Sequence, residues 1–227
     1  MQLHGPHTIS QIDREMEKFT QEAGSLIVDR LILAIQENKQ YLSDIDGAIG
    51  DGDHGINMNK GFTLCREALD KQPGDFTYGL KTLGKILMMK IGGSMGPLYG
   101  KFFLSIGKAL DGVPEIGKEE FGAALDAALD AIHAISPAQV GDKTLMDLLI
   151  PAQKAYTGAK GVSFAEALDA MDAAALKGRD STVDMVAKLG RSSRLGERSK
   201  GVMDAGSASC YLILHTMADT IKELLEA

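Results

Sequence analysis

Apolar positions in this chain recur every three or four residues, the spacing of a helix with one buried face. Phe121, Leu125, Ala128, Ile132 and Ile135 step in this way and predict a helix over about 117–135. Tyr211, Leu214, Ala218, Ile221 and Leu225 repeat the pattern near the C-terminus. Segments 56–70, 77–91, 97–110, 142–157 and 163–177 are further helical candidates, separated by breaks that contain Gly or Pro. Ser10 and Asp13 have capping-box-like spacing ahead of one more helical stretch, interrupted at most at Gly24 and running to about Lys39. No convincing strand lies between these segments. Roughly eight helices follow, hence an all-α bundle or barrel. No linker-like tract or shift in composition divides residues 1–227, so one domain is expected.

Composition agrees with this picture. Ala, Leu, Met and Lys abound and tryptophan is absent, while 44% hydrophobic and 24% charged residues describe an ordinary globular chain. A net charge of −7 makes nucleic acid a poor partner, because phosphate backbones are met by basic faces. The most apolar run, LIVDRLILAI, is broken by Asp29 and Arg30 and is too short to span a bilayer. MQLHGPHTISQ carries no apolar signal region, so the cytoplasm is the expected compartment. Cys65 and Cys210 have no CxxC spacing and read as buried thiols.

The chemistry is concentrated in DGAIGDGDHGINMN, residues 46–59. Asp46, Asp51 and Asp53 place three carboxylates within eight positions, with glycines between them. Such acids repel one another unless a cation sits among them. Hard oxygen ligands on a flexible loop suit Mg²⁺, which pairs one or two carboxylates with substrate phosphates. The competing reading is a solvated Asp/Gly turn. An EF-hand register fails, since Ile56 stands where glycine belongs and Phe62 where a bidentate Glu is needed. A magnesium–nucleotide site is therefore expected. His54, beside the acids, has two readings: a base, or a neutral imidazole against a nucleotide.

Three further polar stretches bear on this. GGSMGPLYG, 92–100, leads glycines into a helix start, where backbone N–H groups and the helix dipole attract anions. It is neither a Walker A nor a Rossmann motif. In GDKTLMD, 141–147, spacing favours Asp142 as a helix cap and Lys143 as a solvated side chain over a phosphate contact. LGRSSRLGERSKGVMDAGSAS, 189–209, clusters Arg191, Arg194, Arg198 and Lys200, which either close over phosphates or form an exposed basic loop that docks a partner. Asp204, with Gly206, reads as the N-cap of the last helix.

Taken together, IGDGDHGINM, GGSMGPLYGKFF, GDKTLMD and GRSSRLGERSKGVMDAGSAS strongly resemble the nucleotide-binding L subunit of dihydroxyacetone kinases, from about residue 10 onward. The resemblance implies a closed barrel of eight antiparallel helices with ADP or ATP and two Mg²⁺ at one end. It carries the metals onto Asp46, Asp51 and Asp53, and the nucleotide onto His54, Asn57, Gly92, Gly93, Ser94, Met95, Gly96, Leu145, Arg191, Asp204 and Gly206. Arg191 would also serve catalysis. The ketose would be held by a separate K subunit, and ADP would stay bound and be rephosphorylated by a phosphohistidine protein of the phosphotransferase system. Alternatives are ATP-dependent action on another small ketose such as a tetrulose, or a non-catalytic nucleotide-sensing module. The chain departs from the family pattern at Met95 (usually serine), at Ala205 (usually proline) and at Arg194.

Overall fold

Short polar side chains begin several of the helices. In the computed structural model, which describes residues 17–227, the Thr20 hydroxyl accepts from the Ala23 N–H and opens α1, Gln21–Glu37. Asn38 separates α1 from α2, Lys39–Ile49. Next come α3, His54–Lys71; α4, Phe76–Lys90; α5, Met95–Ala109; and α6, Lys118–His133. The chain ends in α7, Met146–Gly158; α8, Phe164–Ser181; and α9, Ala205–Leu225, with 3₁₀ turns at Thr182–Asp184 and Arg191–Ser199.

The all-α expectation holds, and the helices close on themselves. α1 packs on α3 and α4, each of α3 to α8 packs on the next, and α9 returns to α1. That circuit contains eight helices; α2 lies outside it against α3 and α9. Inside the ring the apolar stripes merge into one core, with Phe62, Phe102 and Phe103 edge to face at centroid distances of 5.2–6.0 Å. Among the described residues, no helix is long and apolar enough to cross a membrane.

Four expectations need correction. Two three-residue strands exist: β1, Lys18–Thr20, pairs antiparallel with β2, Glu115–Gly117. Residue 24 does not break α1; a Cβ there would come within 2.8 Å of Phe76, so glycine is the residue that lets the helix approach that ring. The sequence pattern missed α2 altogether. Ile135 lies beyond the end of α6 and is 45% exposed rather than part of its buried stripe. Ser10 and Asp13 fall outside the described residues.

Candidate anion and cation site

Connections along the ring alternate between its two ends. The second, fourth, sixth and eighth (50–53, 91–94, 134–145 and 182–204) all contribute to one cavity of about 600 Å³. Each leads into a helix, so the N-termini of α3, α5, α7 and α9 meet the same space. Three of these starts, at Asp53, Ser94 and Leu145, lack a side-chain cap from the N-cap residue. Other side chains reach two of them, Asp46 the His54 N–H of α3 and Thr144 Oγ1 the Met146 N–H of α7, while α5 has no side-chain cap. The four aligned dipoles still form a positive wall for an anion.

Opposite charge stands beside that wall. Asp46 lies in the last turn of α2 while Asp51 and Asp53 follow in the connection, and one oxygen from each carboxylate lies within 4.8 Å of the others. Asp46 Oδ2 also accepts the His54 backbone N–H at 3.1 Å, which fixes the carboxylate against the start of α3. The Arg191 guanidinium reaches into this group, paired with Asp51 and 3.8 Å from Asp53. A triad that draws in the Arg191 guanidinium fits a divalent metal: all its donors are hard oxygens, and they are held close enough to share an ion.

His54 is buried, and its Nε2 lies 2.9 Å from the Ser209 hydroxyl. Ser209 Oγ in turn lies 2.6 Å from the Tyr99 hydroxyl, which donates to the Gly206 carbonyl at 3.1 Å. Burial pulls the imidazole pKa down to about 4, opposed by the Asp46 charge. A ring that is neutral and this weakly basic is poorly matched to accept a proton at pH 7. Of the two readings of His54, the neutral contact is the one this geometry favours.

Asn57, Gly92, Gly93, Ser94, Met95, Leu145, Arg191, Asp204 and Gly206 all line the cavity. Gly96 does not; it is buried beneath the lining, where a Cβ would fall 2.2 Å from the Ile91 carbonyl oxygen. Asp204 caps α9 through Ser207 N–H at 2.7 Å while also facing the cavity, and burial raises its pKa to about 7 despite that hydrogen bond.

The 141–147 stretch behaves differently from its sequence reading. Asp142 does not cap α7; it accepts the Gln139 N–H and pairs with Lys188 at 3.6 Å. Asp147, fully buried, holds the turn by accepting from Gly141 and Thr144 N–H at 2.6 Å each. Lys143 is not solvated: 2% of it is exposed, and its backbone is left-handed with φ 63°, a conformation costing a side chain roughly 1–2 kcal/mol. Sequence reasoning also missed Ile49, Leu98, Pro137, Ala138 and Leu189, which give the cavity an apolar side. Ile49, Leu98 and Leu189 lie in polar stretches already singled out but gave no signal of their own, and for Pro137 and Ala138 the Ser-Pro pair at 136–137 marked a loop without a chemical signal.

Fold and site together define an all-α protein with a candidate anion and divalent-cation site at one end of a helical ring. The DAK2 domain profile matches residues 48–219, and the chain belongs to that family. It is 41% identical over 187 residues to the PEP-dependent dihydroxyacetone kinase 1, ADP-binding subunit DhaL, of Listeria innocua, covering 82% of this chain and 89% of that one. The PEP-dependent dihydroxyacetone kinase, ADP-binding subunit DhaL, of Escherichia coli is 35% identical over 190 residues, covering 81% and 89%. The crystal structure of the dihydroxyacetone kinase from C. freundii in complex with AMP-PNP and Mg²⁺ matches with a TM-score of 0.64 at 20% identity, covering 96% of this chain and 37% of that one; the two share the fold.

Proposed function

We propose that this chain is the nucleotide- and Mg²⁺-binding subunit of a dihydroxyacetone kinase, or of a kinase for a related small ketose. The observation that carries the reading is the facing of three clustered carboxylates and the N-termini of four helices, α5 among them with no side-chain cap, across one cavity. Such a pairing suits a polyphosphate with its metal better than either ion alone. A cavity of about 600 Å³ is within the range of small-molecule sites, and the ADP-binding subunits are matched over 89% of their length.

In this reading Asp46, Asp51 and Asp53 hold two Mg²⁺ ions, which would neutralise phosphoryl charge. Backbone N–H groups at 93–95 and the Ser94 hydroxyl fix the phosphate chain. Leu145, with Leu98 and Ala138, offers the base an apolar wall, while His54 and Asn57 present neutral polar groups. Arg191 leaves its carboxylate partners when metal arrives and turns to the phosphates, where it supplies positive charge as the phosphoryl group moves to a ketose hydroxyl held by a separate K subunit. We assign ADP as a resident cofactor, rephosphorylated by a phosphohistidine protein, because the L. innocua and E. coli relatives are both called PEP-dependent.

The test is to purify the chain with Mg²⁺, dialyse at length, release bound ligand with acid and identify it by chromatography. Stoichiometric ADP is the expected result. Free exchange of ATP and ADP would transfer the assignment to an ATP-consuming enzyme, and no nucleotide affinity at all would sink it.

A further inference from the structure

The segment 182–204 leaves α8, carries Arg191 to the cavity and returns to α9. Both its feet are tied to one side chain from a different connection. Lys143 Nζ donates to the carbonyls of Met185 at 3.1 Å, Ser199 at 2.7 Å and Val202 at 2.6 Å. An ammonium group has three donors, and all three are used. Among the described residues, no carboxylate forms an ion pair with it, and no other non-glycine residue has a positive φ. A buried charge on a left-handed backbone persists only where its surroundings fix it strongly, and such outliers gather at functional sites.

Smaller ties join the same pieces. Asp142 O accepts from Lys188 N–H at 3.2 Å, Ser199 Oγ from Ala187 N–H at 2.9 Å, and Val183 O from Gly201 N–H at 2.7 Å. On the other side of Lys143, Thr144, Leu145 and Met146 all line the cavity. The arginine-bearing segment and the apolar wall are thus joined at Lys143.

We propose that Lys143 is a positioning residue that clamps both feet of the 182–204 segment to the Leu145 wall, and so sets where Arg191 stands over the cavity. Lys143 borders the cavity, but its three donors are taken by carbonyls and it acts through Arg191; the proposal rests on the reading of Arg191 as a phosphate contact. Two predictions follow from a clamp that a general stabilising role would not make. Its loss loosens one segment rather than the whole fold, and it matters for ligand only while Arg191 is present.

The test has two readouts. Hydrogen exchange on the ligand-free Lys143→Met chain is expected to show faster exchange at Ala187 and Gly201, with α4 and α5 unchanged. Calorimetric titration with MgADP is expected to show a loss on the order of tenfold for Lys143→Met, as displacement of a positioned group does. In the Arg191→Ala background the same substitution is expected to cost no more than twofold. Penalties that simply add, or faster exchange spread evenly over the fold, would overturn the clamp. If Lys143→Met does not fold, Ser199→Ala, which removes the tie to Ala187, goes through the same cycle with the same criteria. A wild-type chain that binds no MgADP would remove the nucleotide reading and with it the proposal's link to ligand, and the exchange data would still report whether the segment is clamped.

Discussion

The two ends of the helical ring use similar side chains for opposite purposes. At the end away from the cavity, Thr20, Asp75 and Ser163 each accept a backbone N–H from the helix they begin, and Glu120 and Glu166 reach back in the same way. Gln21 bridges the carbonyls of Leu110 and Val113 at 2.8 Å each. There the polar groups are used up within the protein. At the cavity end, α3, α5, α7 and α9 all begin around one space and three acids crowd together beside them. Among the described residues no side chain caps the start of α5, which costs stability and leaves its first N–H groups beside the cavity.

The lysines sharpen the contrast. Lys118 donates to the carbonyls of Ala159 at 2.6 Å and Val162 at 2.8 Å, closing the 159–163 connection at the far end, much as Lys143 closes the arginine segment. The device is the same and only the neighbourhood differs.

That comparison can be broken by substitution, beginning with the largest effect. Asp51→Asn is expected to lower MgADP affinity by about 100-fold or more, since it removes a charged ligand from the metal group. In EDTA, its melting temperature is expected to hold within a few degrees. Calorimetry and thermal melting measure the two, and normal MgADP binding would refute the metal assignment.

Next in size, Lys118→Met removes two hydrogen bonds from a charged donor and is expected to cost about 2 kcal/mol, a fall in Tm of roughly 4–8 °C. MgADP affinity should stay within twofold. A large loss of affinity would mean that the two ends are coupled rather than separate.

The smallest effect concerns pH. The Asp204 carboxyl has its pKa raised to about 7 in the folded chain, above the usual carboxylate range, chiefly by burial. The folded state therefore keeps a proton that the unfolded chain loses near pH 4, so this contribution is full below pH 4, declines up to about 7 and is flat above. Because Asp204 faces an open cavity, water screens much of the effect, and about 1 kcal/mol is expected across that window. Melts of wild type and Asp204→Asn from pH 4 to 8 should differ in slope by that amount; parallel slopes would show Asp204 ionised throughout.

The helices were legible where a stripe faces the core. Segment 163–177 became Phe164–Ser181 and 77–91 became Phe76–Lys90 because each buries a full face. α2 escaped because only Leu42 and Ile49 of its eleven residues are buried, too few to show a period. Three-residue strands cannot display alternation, which hid β1 and β2. In the site, Asp46, Asp51 and Asp53 could be read together because glycine spacing brings near neighbours to one point. Lys143 could not be placed: its partners lie 42, 56 and 59 residues away, and a lysine in a polar loop looks solvated until those carbonyls are folded around it. Likewise Asp147, rather than Asp142, holds its turn, because register within a loop depends on a left-handed backbone that sequence rarely announces.

The alternation of connections leaves the molecule with a natural handle. Lys71, which ends α3, and Gln72, Pro73 and Gly74, which follow it before α4, are all exposed and sit at the end opposite the cavity mouth. A reporter group, a surface tether or a fused partner attached after Gln72 would hold the protein by its closed end, with the mouth facing outward and free to trade ligands.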